Sequence, residues 1–446
     1  MATIEAKREQ FRKYLERCGL IDSLSRALIK LYEEQNKPDD CIRYVRKYMC
    51  DSCPDDEDYD ELKENYEKLK LKIVELEEEL EKFRADVTRT PSEILSLLED
   101  GWKKLQSDTT DSLLKKYFTN EILEELKSVN TTKNATLLDC LQSGLKFHES
   151  KLGIYVADPE CYDTYKSLFD PIIISYHNIE DSNAEKLQND IDWGNIADIG
   201  DLDPEEKYIL STKCRVIRNL ENTAFSPILK QEEFLEIEDK VKKACEQLKG
   251  DLSGNYRTLK EIDLVTQEQM IKNHILYKKG NEYLSAAGCY RYWPTGRGIY
   301  TNEKENFIVW VNEQDHMRII SMSKGGNLGE VYNRLVDGVQ TIENSIKVER
   351  HSKYGNVTIN PCNLGTSLKA SVHIRLPNLS RDDDRFKEML NQLQLQVRDT
   401  ADVYTTLEEG VLDISNKRCL GHSEFEILQC LQEGIKELIK AEEELE

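Results

Sequence analysis

An α+β architecture, with helices first and mixed strands and helices later, follows from three features of the chain. Up to about residue 150 the apolar positions recur at three- and four-residue steps, the period of a helix. Beyond about residue 205, strand-like runs alternate with helical ones. One such run is Ala370-Ser-Val-His-Ile-Arg-Leu-Pro, where Val372, Ile374 and Leu376 share one face. Third, Asn306 to Lys324 sets two apolar, β-branched runs around a densely polar centre. Phe307 to Val311 and Ile319 to Met322 read as strands, and Asn312 to Arg318 reads as the link between them. Carboxylates, an imidazole and a guanidinium in a link between rigid strands mark a place for chemistry.

Composition bounds the function. A chain of 446 residues has room for about two or three domains. A net charge of −23 excludes a general nucleic-acid or anionic-membrane surface, because both need basic residues. A local basic pocket for an anionic ligand would stand out in so acidic a protein. No apolar run approaches the ~20 residues of a membrane span. Met-Ala-Thr-Ile-Glu-Ala-Lys at the start lacks the apolar core of a secretory signal. A cytoplasmic protein is expected. The 12 cysteines are scattered, and only Cys50 and Cys53 share a Cys-x-x-Cys spacing. Without a second pair or a His-x-x-x-His nearby, they read as thiols of a reducing compartment rather than a zinc site.

Taken in order, residues 7 to 36 read as helix, with Phe11, Leu15, Cys18 and Ile21 in step and Gly19 as a break. Lys37-Pro-Asp-Asp marks a turn, and Cys41 to Met49 a third helix. After the acidic turn at residues 54–58, Leu62, Tyr66, Leu69, Ile73, Leu76, Leu80 and Phe83 alternate steps of four and three. This is a heptad seam flanked by Glu and Lys, and it reads as a coiled coil. A linker spans 87–96, and helical periodicity resumes from Ile94 to Tyr117, from Ile122 to Val129 and from Leu137 to Phe147. The helical block ends at Gly153-Ile-Tyr-Val-Ala-Asp-Pro. Residues 181–204 are polar and acidic, which suggests an interdomain crossing. The tail from Glu424 to Glu446 is an amphipathic helix. No Walker phosphate loop occurs.

Lys7-Arg-Glu-Gln-Phe-Arg-Lys-Tyr-Leu-Glu-Arg-Cys-Gly-Leu-Ile-Asp and Leu31-Tyr-Glu-Glu-Gln-Asn-Lys-Pro resemble the c-Myc-binding protein family over about residues 5–85. The resemblance implies a helical docking module at 1–56 with a coiled coil at 57–86. Implied partners are A-kinase-anchoring and ciliary axoneme proteins, which makes a cilium or flagellum a possible destination. No catalytic residue is implied there.

The link Trp310-Val-Asn-Glu-Gln-Asp-His is similar to the signature of the phosphagen kinases, the creatine and arginine kinase family. Gly153-Ile-Tyr, Ser211-Thr-Lys-Cys-Arg, Arg291-Tyr-Trp-Pro-Thr-Gly-Arg-Gly-Ile-Tyr, Asn360-Pro-Cys-Asn-Leu-Gly-Thr, Leu395-Gln-Val-Arg and Asp413-Ile-Ser-Asn-Lys extend it, in order, over about residues 97–442. The resemblance implies a small helical domain at 97–180 and a catalytic-fold domain at 205–446. The latter would be an antiparallel sheet with helices, of the glutamine-synthetase-like type. It also implies ATP:guanidino phosphotransfer, with Mg-ATP or Mg-ADP as the cofactor.

Phosphoryl transfer needs positive charge around the migrating phosphate and little covalent help. The resemblance supplies it from Arg215, Arg318 and Arg398. Lys213 and Lys369 stand where the family has Arg, keeping the charge but losing the planar fork. Ser211, His274, His373 and Asp413 fall at nucleotide-side positions, and Glu313 at the position near the nucleotide magnesium. Ser150, Gly153 and Tyr155 belong to the loop that closes over a guanidino substrate, where Lys151 replaces a smaller residue.

On the guanidino side the chain departs from the family. Gln314 replaces the carboxylate that pairs with the substrate guanidinium and can take its proton; an amide has no charge and cannot act as a base at neutral pH. Val403 stands where arginine kinases add a second carboxylate, and Asn360 replaces the reactive cysteine. Cys362 reads as an ordinary buried thiol. Two readings follow. One is a structural or regulatory protein on a catalytically impaired kinase fold, tethered by its docking module. The other is an active guanidino kinase of altered substrate choice that buffers ATP locally.

Overall fold

The computed structural model describes residues 4–38, 40–49, 89–179, 187–188, 190–398 and 410–445, with shorter pieces between 62 and 80. Val403, the Cys50 and Cys53 pair, Phe83 and the acidic turn at 54–58 lie outside the described residues. The chain divides into two compact units, Met1–Glu77 and Glu78–Glu446.

In the first unit, helices Ile4–Arg17 and Leu20–Glu33 are separated where the periodicity predicts a break. Gly19 takes a left-handed φ of 72°, a conformation that an L side chain rarely adopts. The second helix ends where Lys37 Nζ donates to the carbonyls of Leu31, Tyr32 and Glu34, at 2.8, 2.6 and 2.9 Å. These are the acceptors that a helix C-terminus leaves without partners. Helix Cys41–Met49 is tied back by Tyr44 Oη donating to Glu34 Oε1 at 3.0 Å. The described residues between 62 and 80 are helical, and Leu62, Tyr66, Leu69, Ile73 and Leu76 of the predicted seam are more than half exposed.

The second unit opens with helices Pro91–Ser107, Leu113–Tyr117, Asn120–Leu126, Leu137–Lys146 and Lys166–His177. The first begins with Thr90 and Glu93 in a reciprocal capping box. These helices precede ten strands: β1 Ile209–Arg218, β2 Gly254–Thr258, β3 Gly298–Asn302, β4 Phe307–Val311, β5 Met317–Lys324, β6 Arg350–His351, β7 Gly355–Asn356, β8 Lys369–Arg375, β9 Leu395–Val397 and β10 Val411–Asn416. Strands β6 and β7 form a small ribbon, and the other eight form one sheet in the order β2-β3-β4-β5-β1-β8-β10-β9. Every pairing in the sheet is antiparallel.

The period of two along each strand gives the sheet two unlike faces. Cys214 and Val216 of β1, Val309 and Val311 of β4, Ile319 of β5, Val372 and Ile374 of β8 and Ile414 of β10 are buried in the main core. Helices Gln231–Cys245, Leu328–Glu343 and Glu424–Glu443 contribute Phe234, Val241, Leu335, Val339, Leu428 and Leu431 to that core. On the other face, Ile308, Trp310 and Ile320 pack with Leu259, Met270 and Tyr277 over the β3–β5 end. The β1, β8 and β10 portion of this second face carries polar and charged side chains, and the site is built there.

The helical block shares a core with the segments beside the sheet. Leu141, Ile154, Tyr162 and Phe169 pack with Phe225, Tyr290, Tyr354 and Ile359. The described part of the polar stretch 181–204 is firmly bonded. Gln188 donates to His422 O at 2.7 Å, and the Asp203 carboxylate accepts from the amides of Tyr208 and Ile209, each at 2.7 Å.

Candidate active site on the cationic face of the sheet

The register collects the cations. Across β1 and β8, Arg215 lies opposite Lys369, Lys213 opposite Ser371, and Ser211 opposite His373; across β8 and β10, His373 lies opposite Asp413. Side chains directly opposite in adjacent strands share a face. Ser211, Lys213, Arg215, Lys369, His373 and Asp413 therefore occupy one surface. Arg318 enters from β5, where it sits opposite Trp310 of β4. Arg398 follows β9, with its backbone N–H donating to Asp413 O at 2.8 Å.

Their contacts form two connected groups. In one, Ser211 Oγ lies 3.1 Å from His373 Nδ1, His373 Nε2 lies 3.9 Å from Asp413 Oδ2, and Arg398 Nη1 lies 3.6 Å from the same oxygen. In the other, Arg318 Nη2 pairs with Glu313 Oε2 at 2.9 Å and reaches Gln314 Oε1 at 3.4 Å. Trp310 connects to the second group. Its ring lies under both Lys213 Nζ, at 5.8 Å, and the Arg318 guanidinium, at 5.4 Å, within cation–π range. Its Nε1 donates to Ile275 O at 2.7 Å, which fixes the ring plane. Lys369 Nζ donates to Asn416 O at 2.8 Å.

So many like charges in one place perturb each other. Lys213 is half-buried, and loss of solvent is the main cause that pushes its ammonium down to about 7; the charges of Arg215, Arg398 and Arg318 push the same way, against Asp413. Lys369 is lowered by burial and by Arg215 and Arg398. His274 ends the turn after helix Leu264–Lys272 and is lowered by burial, then by Lys213 and His373, which places it beside the cage. His373 is lowered chiefly by burial, against Asp413.

The signature link is a tight, buried turn shorter than the sequence suggests, because Met317 and Arg318 already belong to β5. Asn312 takes a left-handed φ of 54°, and its N–H donates to His316 O at 3.1 Å. Asn312 Nδ2 donates to Phe234 O and Gly296 O, and Arg297 Nε donates to Asn312 O at 3.1 Å. Asp315 Oδ1 accepts from Asn219 Nδ2 and Ile359 N–H, both at 2.8 Å. Burial raises the Asp315 carboxyl to about 6. His316 accepts from Leu220 N–H at Nδ1, 3.0 Å, and Nε2 faces Ala224 O at 2.8 Å, which assigns the Nε2–H tautomer. Burial lowers this imidazole to about 4, so it is neutral. Three of the five link residues thus hold the turn, leaving Glu313 and Gln314 for other partners.

The second-substrate side assembles around residue 360. Asp315 grips Ile359, Val156 N–H donates to Ile359 O at 2.7 Å, Tyr162 Oη donates to Thr358 O at 2.7 Å, and His177 Nε2 meets Pro361 O at 2.9 Å. Asn360 Oδ1 accepts from Cys362 N–H at 3.1 Å, closing the Pro361–Asn363 turn. Cys362, read from the sequence as a buried thiol, is only partly buried, and loss of solvent pushes its thiol up to about 12. The Gly-Ile-Tyr loop lies on helix Leu137–Lys146. A Cβ on Gly144 would meet Gly153 O at 2.0 Å, and Gly153 has a φ of 75°. Ser150 Oγ accepts from Gly153 N–H at 3.3 Å, and Tyr155 is buried.

The structure therefore brings together the predicted cage and the link, and ties the substrate loop to the residue-360 side through Val156 and Ile359; Val403 falls in 399–409, outside the described residues. Sequence reasoning missed Trp310 as a platform, although its place opposite Arg318 follows from strand alternation. It also missed the holding roles of Asn312, Asp315, His316 and Gly144, which rest on partners far away in the chain. Among the described residues no group of three or more His, Cys, Asp or Glu side chains could hold a metal by itself. Glu313 is a carboxylate in direct contact with a cage cation, 2.9 Å from Arg318.

An antiparallel sheet that presents crowded cations on one face, with a carboxylate-bearing turn at their edge, is an arrangement suited to an anionic ligand. The chain belongs to the ATP:guanido phosphotransferase (phosphagen kinase) family. Residues 108–174 match the N-terminal domain of that family and 236–445 its C-terminal catalytic domain, while residues 5–86 match the c-Myc-binding protein family. Arginine kinase of Carcinus maenas is 43% identical over 353 residues, covering 79% of this chain and 98% of its own. Arginine kinase of Artemia franciscana is 45% identical over 350 residues, covering 78% and 98%. Among solved structures, the duplicated taurocyamine kinase of Schistosoma mansoni superposes with a TM-score of 0.73 at 33% identity over 77% of this chain. The chain spans about half the length of that duplicated enzyme, 49%. Lombricine kinase gives a TM-score of 0.70 at 31% identity, with 76% and 96% coverage.

Proposed function

We propose that the protein binds Mg-ATP or Mg-ADP but transfers phosphate to guanidino compounds poorly or not at all, and acts as a structural or regulatory component anchored through its first unit. The nucleotide part is supported by the register that gathers Lys213, Arg215, Lys369 and Arg318 on one face of the sheet, positive charge that a polyphosphate would offset. Arg215, Arg318, Arg398, Lys213 and Lys369 would hold the phosphates. Ser211, His274, His373 and Asp413 would line the nucleoside side, and Glu313 would meet the magnesium. Mg-ATP supplies the transferable phosphoryl group and the metal's charge neutralisation.

The observation that carries the impaired reading is Gln314. It occupies the buried position beside Arg318 where a carboxylate would align a guanidinium and accept its proton. Loss of a positioned acid–base group typically lowers rates by ~10²–10⁴-fold. Asn360 and Val403 remove two further groups that would favour a cation. An active guanidino kinase, with an arginine-like substrate as in the relatives, is the second reading. Its support is the intact pair of Glu313 and Arg318.

Anchoring proteins, axonemal ones among them, are the partners we propose for the first unit, with the cytoplasm and the ciliary axoneme as locations. The exposed heptad residues Leu69 and Leu76 are the support. The test of function is an assay of the full chain with Mg-ATP against arginine, creatine, taurocyamine and glycocyamine. We expect rates at least ~10²-fold below an ordinary family member. Turnover near ordinary kinase rates on any of them sinks the reading, and absence of calorimetric heat with ADP sinks its nucleotide part.

A further inference from the structure

We infer that the second unit carries another anion site, separate from the cage, in the open hollow between the end of helix Gln231–Cys245 and the segments 220–223 and 345–347, and that it takes a small phosphate-bearing ligand. The inference goes beyond the proposed function and does not depend on it, because no cage residue lines this hollow.

The hollow has a volume of about 440 Å³, within the ~300–1,000 Å³ of small-molecule sites. Leu220 and Ile346 give it an apolar part, and Lys240, Lys243, Lys347 and Glu221 supply its charges. Lysines near the end of a helix ordinarily answer its carbonyl dipole, as Lys240 and Lys243 do. Lys347 comes from a separate segment, so three ammonium groups from two elements line one hollow. These charges do not cancel. Asp239 holds Lys243 at 2.6 Å. Among the described residues no ion pair takes up Lys240 or Lys347, and Glu221 is the only carboxylate in the lining. Beside the hollow, Glu349 already accepts from Asn222 N–H at 2.6 Å, and Lys133 Nζ adds a further cation by donating to Asn222 O at 2.8 Å. In a protein of net charge −23, an uncompensated cationic hollow is an exception to the overall field. Ammonium groups act as point charges without a planar fork, and with the Ser345 hydroxyl in the same lining they suit a tetrahedral phosphate.

The walls are fixed before any ligand arrives. Glu221 N–H donates to Lys347 O at 3.1 Å, Glu349 N–H donates to Asn219 O at 2.8 Å, and Leu220 bridges to Val348 between them. A ligand therefore has little backbone to order on binding. The same loop also clasps the signature link. His316 N–H donates to Asn219 Oδ1 at 2.8 Å, Leu220 N–H donates to His316 Nδ1 at 3.0 Å, and His316 Nε2–H donates to Ala224 O at 2.8 Å. Burial is the main cause that lowers the His316 imidazole, and the charge of Lys240 adds to it, so the cations of the hollow are felt at the link.

The full chain is saturated with Mg-ADP to fill the cage and then titrated by calorimetry, at constant ionic strength, with inorganic phosphate and with glycerol 3-phosphate. Saturable binding in the millimolar range or tighter is expected, and the tighter of the two ligands tells free phosphate from a phosphate monoester. Lys240→Gln with Lys347→Gln is expected to weaken it about tenfold or more, whereas Lys213→Gln in the cage is expected to leave it unchanged. Lys240 and Lys347 are exposed, and a melting curve checks that the double variant folds. No saturable heat with either ligand at tens of millimolar overturns the inference. So does binding that the folded double variant retains in full, or binding lost in Lys213→Gln alone, which would assign the anion to the cage. Absence of heat with Mg-ADP, beside phosphate binding that depends on Lys240 and Lys347, defeats the nucleotide reading and leaves this site standing.

Discussion

Replacing arginines of a phosphate cage by lysines should make nucleotide binding depend on pH near neutrality, and Lys213 is the place to look. Its ammonium is held at about 7 by removal from solvent and by Arg215, Arg398 and Arg318. A bound polyphosphate adds negative charge and restores the protonated form toward the ordinary lysine value near 10.4. Binding therefore takes up a proton whenever the pH lies above about 7 and below the pKa of the complex. The affinity is fully expressed below 7 and falls as pH rises, approaching tenfold per unit, or about 1.4 kcal/mol. From pH 7 to 9 the loss is on the order of fiftyfold, with about 0.9 proton taken up at pH 8. Calorimetry of Mg-ADP across this range, repeated in buffers of different ionisation enthalpy, measures both quantities. Lys213→Arg keeps the cation at every pH and should flatten the profile. A flat profile without proton uptake in the unaltered chain would refute the argument, as would an equally steep one in Lys213→Arg.

Other outcomes follow from the same geometry. Trp310→Ala removes the ring beneath Lys213 and Arg318 along with buried area and should cost about 3–5 kcal/mol of stability, read by denaturant titration. Asp315→Ala orphans the Ile359 N–H and one donor of Asn219, so a loss of about 2–4 kcal/mol is expected in thermal melts. A Cβ at Gly144 would collide with Gly153 O at 2.0 Å, so Gly144→Ala should displace the Gly-Ile-Tyr loop and cost about 1–3 kcal/mol. Greater protease susceptibility between residues 150 and 156 would report the displacement. Leu69→Asp with Leu76→Asp should abolish partner capture by the first unit while leaving nucleotide binding unchanged. Unaltered association would show that the heptad stripe is not the interface.

Much of this arrangement can be read from the chain before any coordinates. The break at Gly19, the paired strands around residues 312–318 and the alternation through Val372 and Ile374 are local patterns, and local patterns survive folding. Cage members such as Arg215 and Lys369 are legible only through family resemblance, because nothing in their own neighbourhoods distinguishes them from solvated charges. Their meeting is a matter of register, set by antiparallel pairings between segments about 150 residues apart. Trp310 lies between these cases: alternation puts it opposite Arg318, but its ring becomes a platform only when Lys213 arrives from β1. The grip of Asp315 on Ile359 and the packing of Gly144 against Gly153 depend on single contacts between distant elements. No periodicity reports such contacts.

The buried turn from Asn312 to His316 separates two tasks that a single loop usually shares. Asn312, Asp315 and His316 are the hinge pins; Glu313 and Gln314 are the interchangeable teeth. A carboxylate exchanged for an amide at 314 leaves each pin in place, so recognition can be rewritten at this one position without softening the turn. In a site organised this way, the contacts that hold the turn and the side chains that meet a ligand belong to different residues.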